Sequence, residues 1–298
     1  MSKTSFKNFE VFFKKATGKT PYPYQNRLAE SPIPSVINVP TGAGKTEAAI
    51  LGVWLWHRLH DNDIPRRLIY CLPRRVLVEQ TKQRIEEWLK NLGLEKEIGI
   101  ALLLGGEQDK EFDKYPAKDY IIVGTQDVLI SGALNRRYGS NPFRWPITFG
   151  LLNNDCLWVL DEIQVMENAL PTSIQLDAFR KYFKTFGPCH TVWMSATLQP
   201  DWLKTVNSPS EKLDVHYITE QDKEHDELKR RNNAVKTLRK AKIELEKKYE
   251  KKDIEYLHSL HKKDTVTLIM VNTVKRAQDV YDLFTKIQVD CKLIHSRF

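Results

Sequence analysis

The chain has 298 residues, 41% of them hydrophobic and 28% charged, with a formal net charge of +8. That length can bury a substantial core and fits one large domain, or one domain plus part of another, which excludes a disordered or fibrous chain. The longest unbroken apolar run, AAILGVWLW, has nine residues, short of the roughly 20 that a membrane-spanning helix needs, and MSKTSFKNFEVFFKK lacks the apolar centre of a secretory signal, so a cytoplasmic protein without a membrane partner is expected.

Strand-like and helix-like runs alternate along the chain. SVINVP reads as a strand, TEAAILGVWLWHRL as a helix, RLIYCLP as a strand and VLVEQTKQRIEEWLKNL as a helix. DYIIVGT, DVLISGAL, DCLWVLDE, ALPTSIQLDAFRKYF and CHTVWMSAT continue the alternation. The strands are continuous apolar runs, as expected where a parallel sheet is covered on both faces. The fold class is α/β with a doubly wound parallel sheet. Cys71, Cys156, Cys189 and Cys291 lie far apart without CxxC spacing and each sits in or beside an apolar run; they read as buried free thiols.

After SAT the regularity lapses. Residues 223–263 carry 14 Lys and Arg against 8 Asp and Glu, so this stretch holds +6 of the total charge of +8. Ala234, Leu238, Ala241, Leu245 and Tyr249 are spaced as one face of a helix, and the charges around them read as a solvated helix face, not a nucleic-acid groove. A new unit opens with TVTLIMVN, TVKRAQDVYDLFTKI and CKLIHSRF, but only 35 residues remain from position 264, against the roughly hundred of a compact lobe. The expected organisation is a first lobe over 1–218, a charged helical connector over 219–263, and the start of a second lobe over 264–298, in a fragment or a chain completed elsewhere.

PTGAGKT, Pro40 to Thr46, sits between a strand and a helix, where a glycine-rich turn wraps backbone N–H groups around phosphate. Gly42 and Gly44 permit the tight backbone, Lys45 would neutralise the β and γ phosphates, and Thr46 would ligate Mg²⁺. The strict pattern has glycine at position 39, where this chain has Val39; the shorter form is familiar in helicase-type ATPases. A P-loop also needs an acid at the end of a distant strand, which LWVLDEIQVM supplies: Asp161 would hold Mg²⁺ and Glu162 would act as general base on the attacking water. Tyr24 and Gln25 would read adenine, completing an ATP site with Thr41, Gly42, Ala43, Gly44, Lys45 and Thr46. Arg75 at a strand-to-helix junction, and Gly124 and Thr125 in GTQD, are suited to nucleic-acid phosphates. Ser195 and Thr197 of SAT would link the two faces.

The ordered set YQ, TGAGKT, PRRVLVEQ, GTQD, DEIQ and SAT resembles the motif series of superfamily 2 helicases. NRRYGSNPFRWPITFGLLNNDCLWVLDEIQVM, TSIQLDAFR, VNTVKRAQDVYDLF and LIHSRF further resemble the CRISPR-associated helicase-nuclease of type I systems, in the branch that begins directly with its helicase part. In that branch a glutamine commonly closes the acidic box, which makes Gln164 a family-type variant with an implied hydrogen bond to Ser195 or Thr197. The resemblance implies two RecA-like lobes with ATP between them, 3′-to-5′ translocation on single-stranded DNA, recruitment by an RNA-guided surveillance complex, and an HD nuclease in the same or another chain. His60-Asp61 and His225-Asp226 are bare dipeptides without the further ligands such a nuclease needs. The arginines that the family's second lobe places on the γ-phosphate are not seen, Arg297 falling too early in the series to serve, so the chain alone is expected to turn ATP over feebly. Two alternatives stay open, a DEAD-box-like RNA helicase and a nucleotide-binding adaptor without turnover.

Overall fold

The computed structural model describes residues 6–105, 112–136, 141–205, 213–235, 237–241 and 249–294. Leu245 and Arg297 lie outside the described residues. The chain divides into two units, residues 1–234 and 235–298.

In the first unit, helices α1 (Phe9–Thr17) and α2 (Pro23–Glu30) precede β1 (Val36–Asn38). The long helix α3 follows, with an α-helical start at Lys45–Glu47, a wider π-form stretch over Ala48–Trp56 and an α-helical turn at His57–His60. Then come β2 (Arg67–Leu72), α4 (Arg75–Leu92), β3 (Ile98–Leu103), β4 (Asp119–Thr125), α5 (Gln126–Ala133) and α6 (Trp145–Asn153). The unit continues with β5 (Cys156–Leu160), α7 (Ala169–Phe183), β6 (Cys189–Ser195) and β7 (Val215–Tyr217), and with the short helices α8 (Glu220–Lys223) and α9 (Asp226–Asn232). Among the described residues the strands form one sheet in the order β3-β4-β2-β5-β6-β1-β7, with every pair parallel.

Successive strand side chains point to opposite faces, and each face has its own core. Ile37, Leu68, Tyr70, Val123, Leu157 and Met194 pack with α1 to α4, whereas Val36, Ile69, Ile122, Trp158 and Trp193 pack with α5 to α7. Ala48 to Leu55 of α3 are all buried, so this helix is apolar around its whole circumference, as one enclosed on all sides must be. All strands run the same way, so the segments leaving β1, β2, β4, β5 and β6 emerge along one edge of the sheet. Ligands of open α/β folds bind along that edge.

The first unit extends past residue 218. Thr219 and Asp222 form a capping box, Arg27 Nη1 and Nη2 donate to Asp222 (2.5 and 2.8 Å), and Tyr22 OH donates to Glu227 (2.8 Å), which ties residues 219–227 to α2. Of the charged helical connector expected over 219–263, the described residues form α8, α9, an exposed non-helical stretch at Ala234, Leu238 and Ala241, and a helix α10 (Lys251–Ser259). Helical spacing without a surface to bury it leaves an isolated helix marginal.

The second unit, taken by itself, packs α10 against α11 (Val274–Lys286) through Ile254, Val280 and Phe284, with Tyr249, Ile269 and Cys291 alongside. The apolar run TVTLIMVN of this unit forms no strand: Val266, Leu268 and Met270 are exposed and the run pairs with no other among the described residues. Apolar β-prone residues without a neighbouring strand have no ladder to satisfy their backbone.

Candidate nucleotide site

The turn after β1 passes through two left-handed residues, Gly42 (φ 83°) and Gly44 (φ 79°). An L side chain in that conformation costs about 1–2 kcal/mol. At Gly44 a Cβ would also stand 2.7 Å from Gln25 Nε2. Helix α2 braces the turn from behind: Tyr24 OH donates to the Ala43 carbonyl (2.7 Å) and Gln25 Nε2 to the Gly44 carbonyl (2.9 Å). Gln25 Oε1 accepts from the Tyr22 N–H (2.8 Å). Val39 N–H donates to the Ser195 carbonyl (3.1 Å), which joins the start of the turn to the end of β6.

Lys45 begins α3 and is only 6% exposed, and its Nζ meets Glu162 Oε1 at 3.2 Å although 117 residues separate them. Glu162 leaves β5 with φ 56°, a backbone region that strains a non-glycine residue and recurs at functional sites. Asp161 is buried, and its Oδ2 accepts a 2.7 Å hydrogen bond from Tyr70 OH while its Oδ1 is buried without a hydrogen-bond partner. Burial pushes the Asp161 carboxyl above the ordinary aspartate range and the adjacent Glu162 charge adds to the rise; the Tyr70 hydrogen bond and the Lys45 charge oppose it. One phenol on β2 thus holds the acid that follows β5.

Lys45, Thr46, Asp161 and Glu162 line a cavity of about 950 Å³, together with Thr41, Gly42, Gly44, Tyr22, Gln25, Glu47 and Arg84. Among the described residues no three His, Cys, Asp or Glu side chains gather as a metal site, but Mg²⁺ beside a polyphosphate needs only one or two protein ligands. The partnerless Asp161 Oδ1, with Thr46 lining the same cavity, fits that requirement.

Gln164 extends the network toward β6. Its Oε1 accepts from Ser195 Oγ (2.9 Å), Ser195 Oγ accepts from the Thr197 N–H (3.0 Å), and Gln164 Nε2 donates to Glu162.

Three expectations change. Tyr24 has no exposed surface, so its ring cannot face adenine; it supports the phosphate turn, and Tyr22, stacked on it at 6.4 Å, lines the cavity instead. Gln25 lines the cavity but spends its amide on Tyr22 and Gly44, so its role is first to shape the turn. Gly124 is buried within β4, where a Cβ would stand 2.5 Å from the Leu103 carbonyl; strand packing, not nucleic acid, requires that glycine. Thr125 is half-buried at the first turn of α5, and its side chain does not cap that helix. Arg75 is exposed at the start of α4 and its Nε donates to Glu79 (3.1 Å). Tyr70, Tyr22 and Arg84 were not anticipated. A lone hydroxyl inside RLIYCL was the available signal for Tyr70; nothing in the local sequence marks Arg84, which pairs with Glu47. His60 of the first His-Asp dipeptide is engaged with Trp56, its Nδ1 2.7 Å from the Trp56 carbonyl.

A parallel doubly wound sheet with a left-handed glycine turn, a buried lysine and two acids at one edge defines a RecA-like P-loop lobe. The chain belongs to the DEAD/DEAH box helicase family, whose model matches residues 23–206. Solved structures of similar fold include the DUF1998 helicase MrfA bound to DNA, at 16% identity and a TM-score of 0.53, over 73% of this chain and 30% of that one. Another is Dbp5 of S. cerevisiae bound to RNA and ADP BeF3, at 16% identity and a TM-score of 0.58, over 99% of this chain and 68% of that one. The chain thus spans under a third of the first structure, and at such identity the likeness concerns fold alone. A search of curated proteins finds no match.

Proposed function

We propose that this chain is the ATP-binding part of a helicase that translocates on single-stranded DNA in type I CRISPR interference, recruited by an RNA-guided surveillance complex and served by an HD nuclease. The observation that carries the nucleotide reading is the 3.2 Å approach of Lys45 Nζ to Glu162 Oε1 beside buried Asp161. In this reading the Gly42–Gly44 turn presents backbone N–H groups to the phosphates and Lys45 shifts from Glu162 to the β and γ phosphates. Glu162, so released, takes a proton from the attacking water. Thr46 and Asp161 would hold Mg²⁺, which when bound offsets the phosphate charge. Gln164, bonded to both Glu162 and Ser195, would report loss of the γ-phosphate to β6. The CRISPR setting rests on the sequence blocks around DEIQ and on Gln164.

Glu162→Gln tests the reading. It should leave fluorescent-ATP binding within about twofold while lowering hydrolysis by about 10²–10⁴; unchanged hydrolysis would remove Glu162 as the base. Competition between single-stranded DNA and RNA of the same sequence decides the substrate, and an RNA preference would favour the DEAD-box alternative. ATP binding without turnover in the full-length protein would favour the adaptor.

A further inference from the structure

Cys156 and Cys189 are 33 residues apart, yet they are register partners on the adjacent parallel strands β5 and β6 and their sulfurs stand 3.0 Å apart. Partners on neighbouring strands lie about 4.7–4.9 Å apart, inside the Cα separation of about 4.4–6.8 Å that a disulfide tolerates. Forming the bond requires closing the sulfurs by roughly 1 Å, to about 2.05 Å, which small side-chain rotations accomplish without moving either strand. Both cysteines are free, Cys156 fully buried and Cys189 half-buried.

The surroundings favour reaction at Cys189. Arg180 of α7 is buried, its Nε donates to Asn153 Oδ1 (3.0 Å), its guanidinium lies 5.0 Å over the Trp158 ring, and its Nη2 has no hydrogen-bond partner. A buried cation beside a thiol is the setting that makes a cysteine reactive. The hydrogen bond shared with Cys156 and the Arg180 charge hold the Cys189 thiol below its ordinary range, against burial and the opposing Asp177 charge, while burial pushes Cys156 up. One sulfur is therefore disposed to attack and the other to resolve.

We propose that Cys156 and Cys189 form a site of reversible oxidation that closes to an intramolecular disulfide in the presence of a hydroperoxide. The Cys189 thiolate attacks the terminal peroxide oxygen, the O–O bond breaks, and the other oxygen takes a proton and departs as an alcohol, or as water from hydrogen peroxide, leaving a sulfenic acid. The Cys156 sulfur then attacks that sulfur, the S–O bond breaks, and water leaves with the Cys156 proton. The two thiols lose two electrons, the peroxide gains them, and a thiol reductant reverses the change. The bond staples β5 to β6 at the edge of the sheet opposite Asp161 and Ser195.

The test treats the full chain with hydrogen peroxide, blocks remaining thiols with an alkylating agent under denaturing conditions, and maps the peptides by mass spectrometry. The expected product joins the Cys156 and Cys189 peptides, is lighter by the pair of thiol hydrogens, and disappears with dithiothreitol. Cys71 and Cys291 should remain alkylated. In Cys189→Ser the cross-link should be absent and Cys156 should stay reduced. Should that variant fail to fold, the wild-type peptide map decides alone, supported by a higher melting temperature after oxidation that reductant cancels. Separate alkylation of Cys156 and Cys189 after oxidation, a dead-end sulfinic acid at Cys189, or bonding of either to Cys291 would each overturn the proposal.

Discussion

Two strand-to-helix junctions of the first unit, after β1 and at the end of β4, both carry glycine, and their glycines exist for different reasons. Gly44 has a left-handed backbone and closes on Gln25, whereas Gly124 keeps ordinary strand geometry and yields space to the Leu103 carbonyl. The first shapes a cavity wall and the second lets β3 and β4 pair. Gly44 stands before Lys45-Thr46 and Gly124 before Thr125, each where a strand gives way to a helix, so φ and the neighbouring atoms tell a binding turn from a packing requirement.

The largest expected effect comes from removing the charge that the β1 turn presents. Lys45→Ala should lower ATP affinity by about 10²–10³ while circular dichroism shows the fold retained; unchanged affinity in a fluorescent-ATP titration would dissolve the distinction between the junctions. Gly44→Ala should come next, losing about 1–2 kcal/mol of stability to backbone strain and weakening ATP binding as Gln25 is displaced. Gly124→Ala should lose about 1–3 kcal/mol through overpacking, read by chemical denaturation, with ATP affinity of the folded fraction unchanged. If Gly124→Ala weakened ATP binding as much as Gly44→Ala does, the two junctions would have to share a function.

A smaller effect concerns Asp161. Its folded-state carboxyl titrates above the unfolded value of about 3.9 because of burial. The folded state therefore binds more protons, and this residue's contribution to stability falls as pH rises from the unfolded value through the raised folded one. Asp161→Asn should thus melt higher than wild type at neutral pH, with the gap narrowing in acid, while hydrolysis is lost. Equal melting temperatures across that range would argue against a destabilising buried charge. The smallest effect expected is at Arg75: Arg75→Ala should weaken single-stranded DNA binding and reduce its salt slope by about 1, leaving ATP affinity unchanged. Loss of both together would contradict separate faces.

Much of the first unit was legible because β1, β2, β4, β5 and β6 are apolar runs whose burial on both faces leaves little choice of sheet type. β3 and β7 were not. IGIALL mixes glycine with half-buried and buried positions, and VHY is three residues long, so neither carries a pattern of its own; each is a strand because a neighbour offers it a ladder. The stripe from Ala234 to Tyr249 erred in the other direction: at Ala234, Leu238 and Ala241 the helical spacing is met by exposed, non-helical backbone.

By itself the sequence determined the phosphate turn, the acids after β5 and the parallel sheet between them, because glycine conformation, lysine charge and apolar run length are local properties. Tertiary structure alone decided that Tyr22 and not Tyr24 lines the cavity, that Tyr70 holds Asp161, and that Cys156 meets Cys189. Those pairings depend on strand order and register, which bring residues together across long stretches of chain.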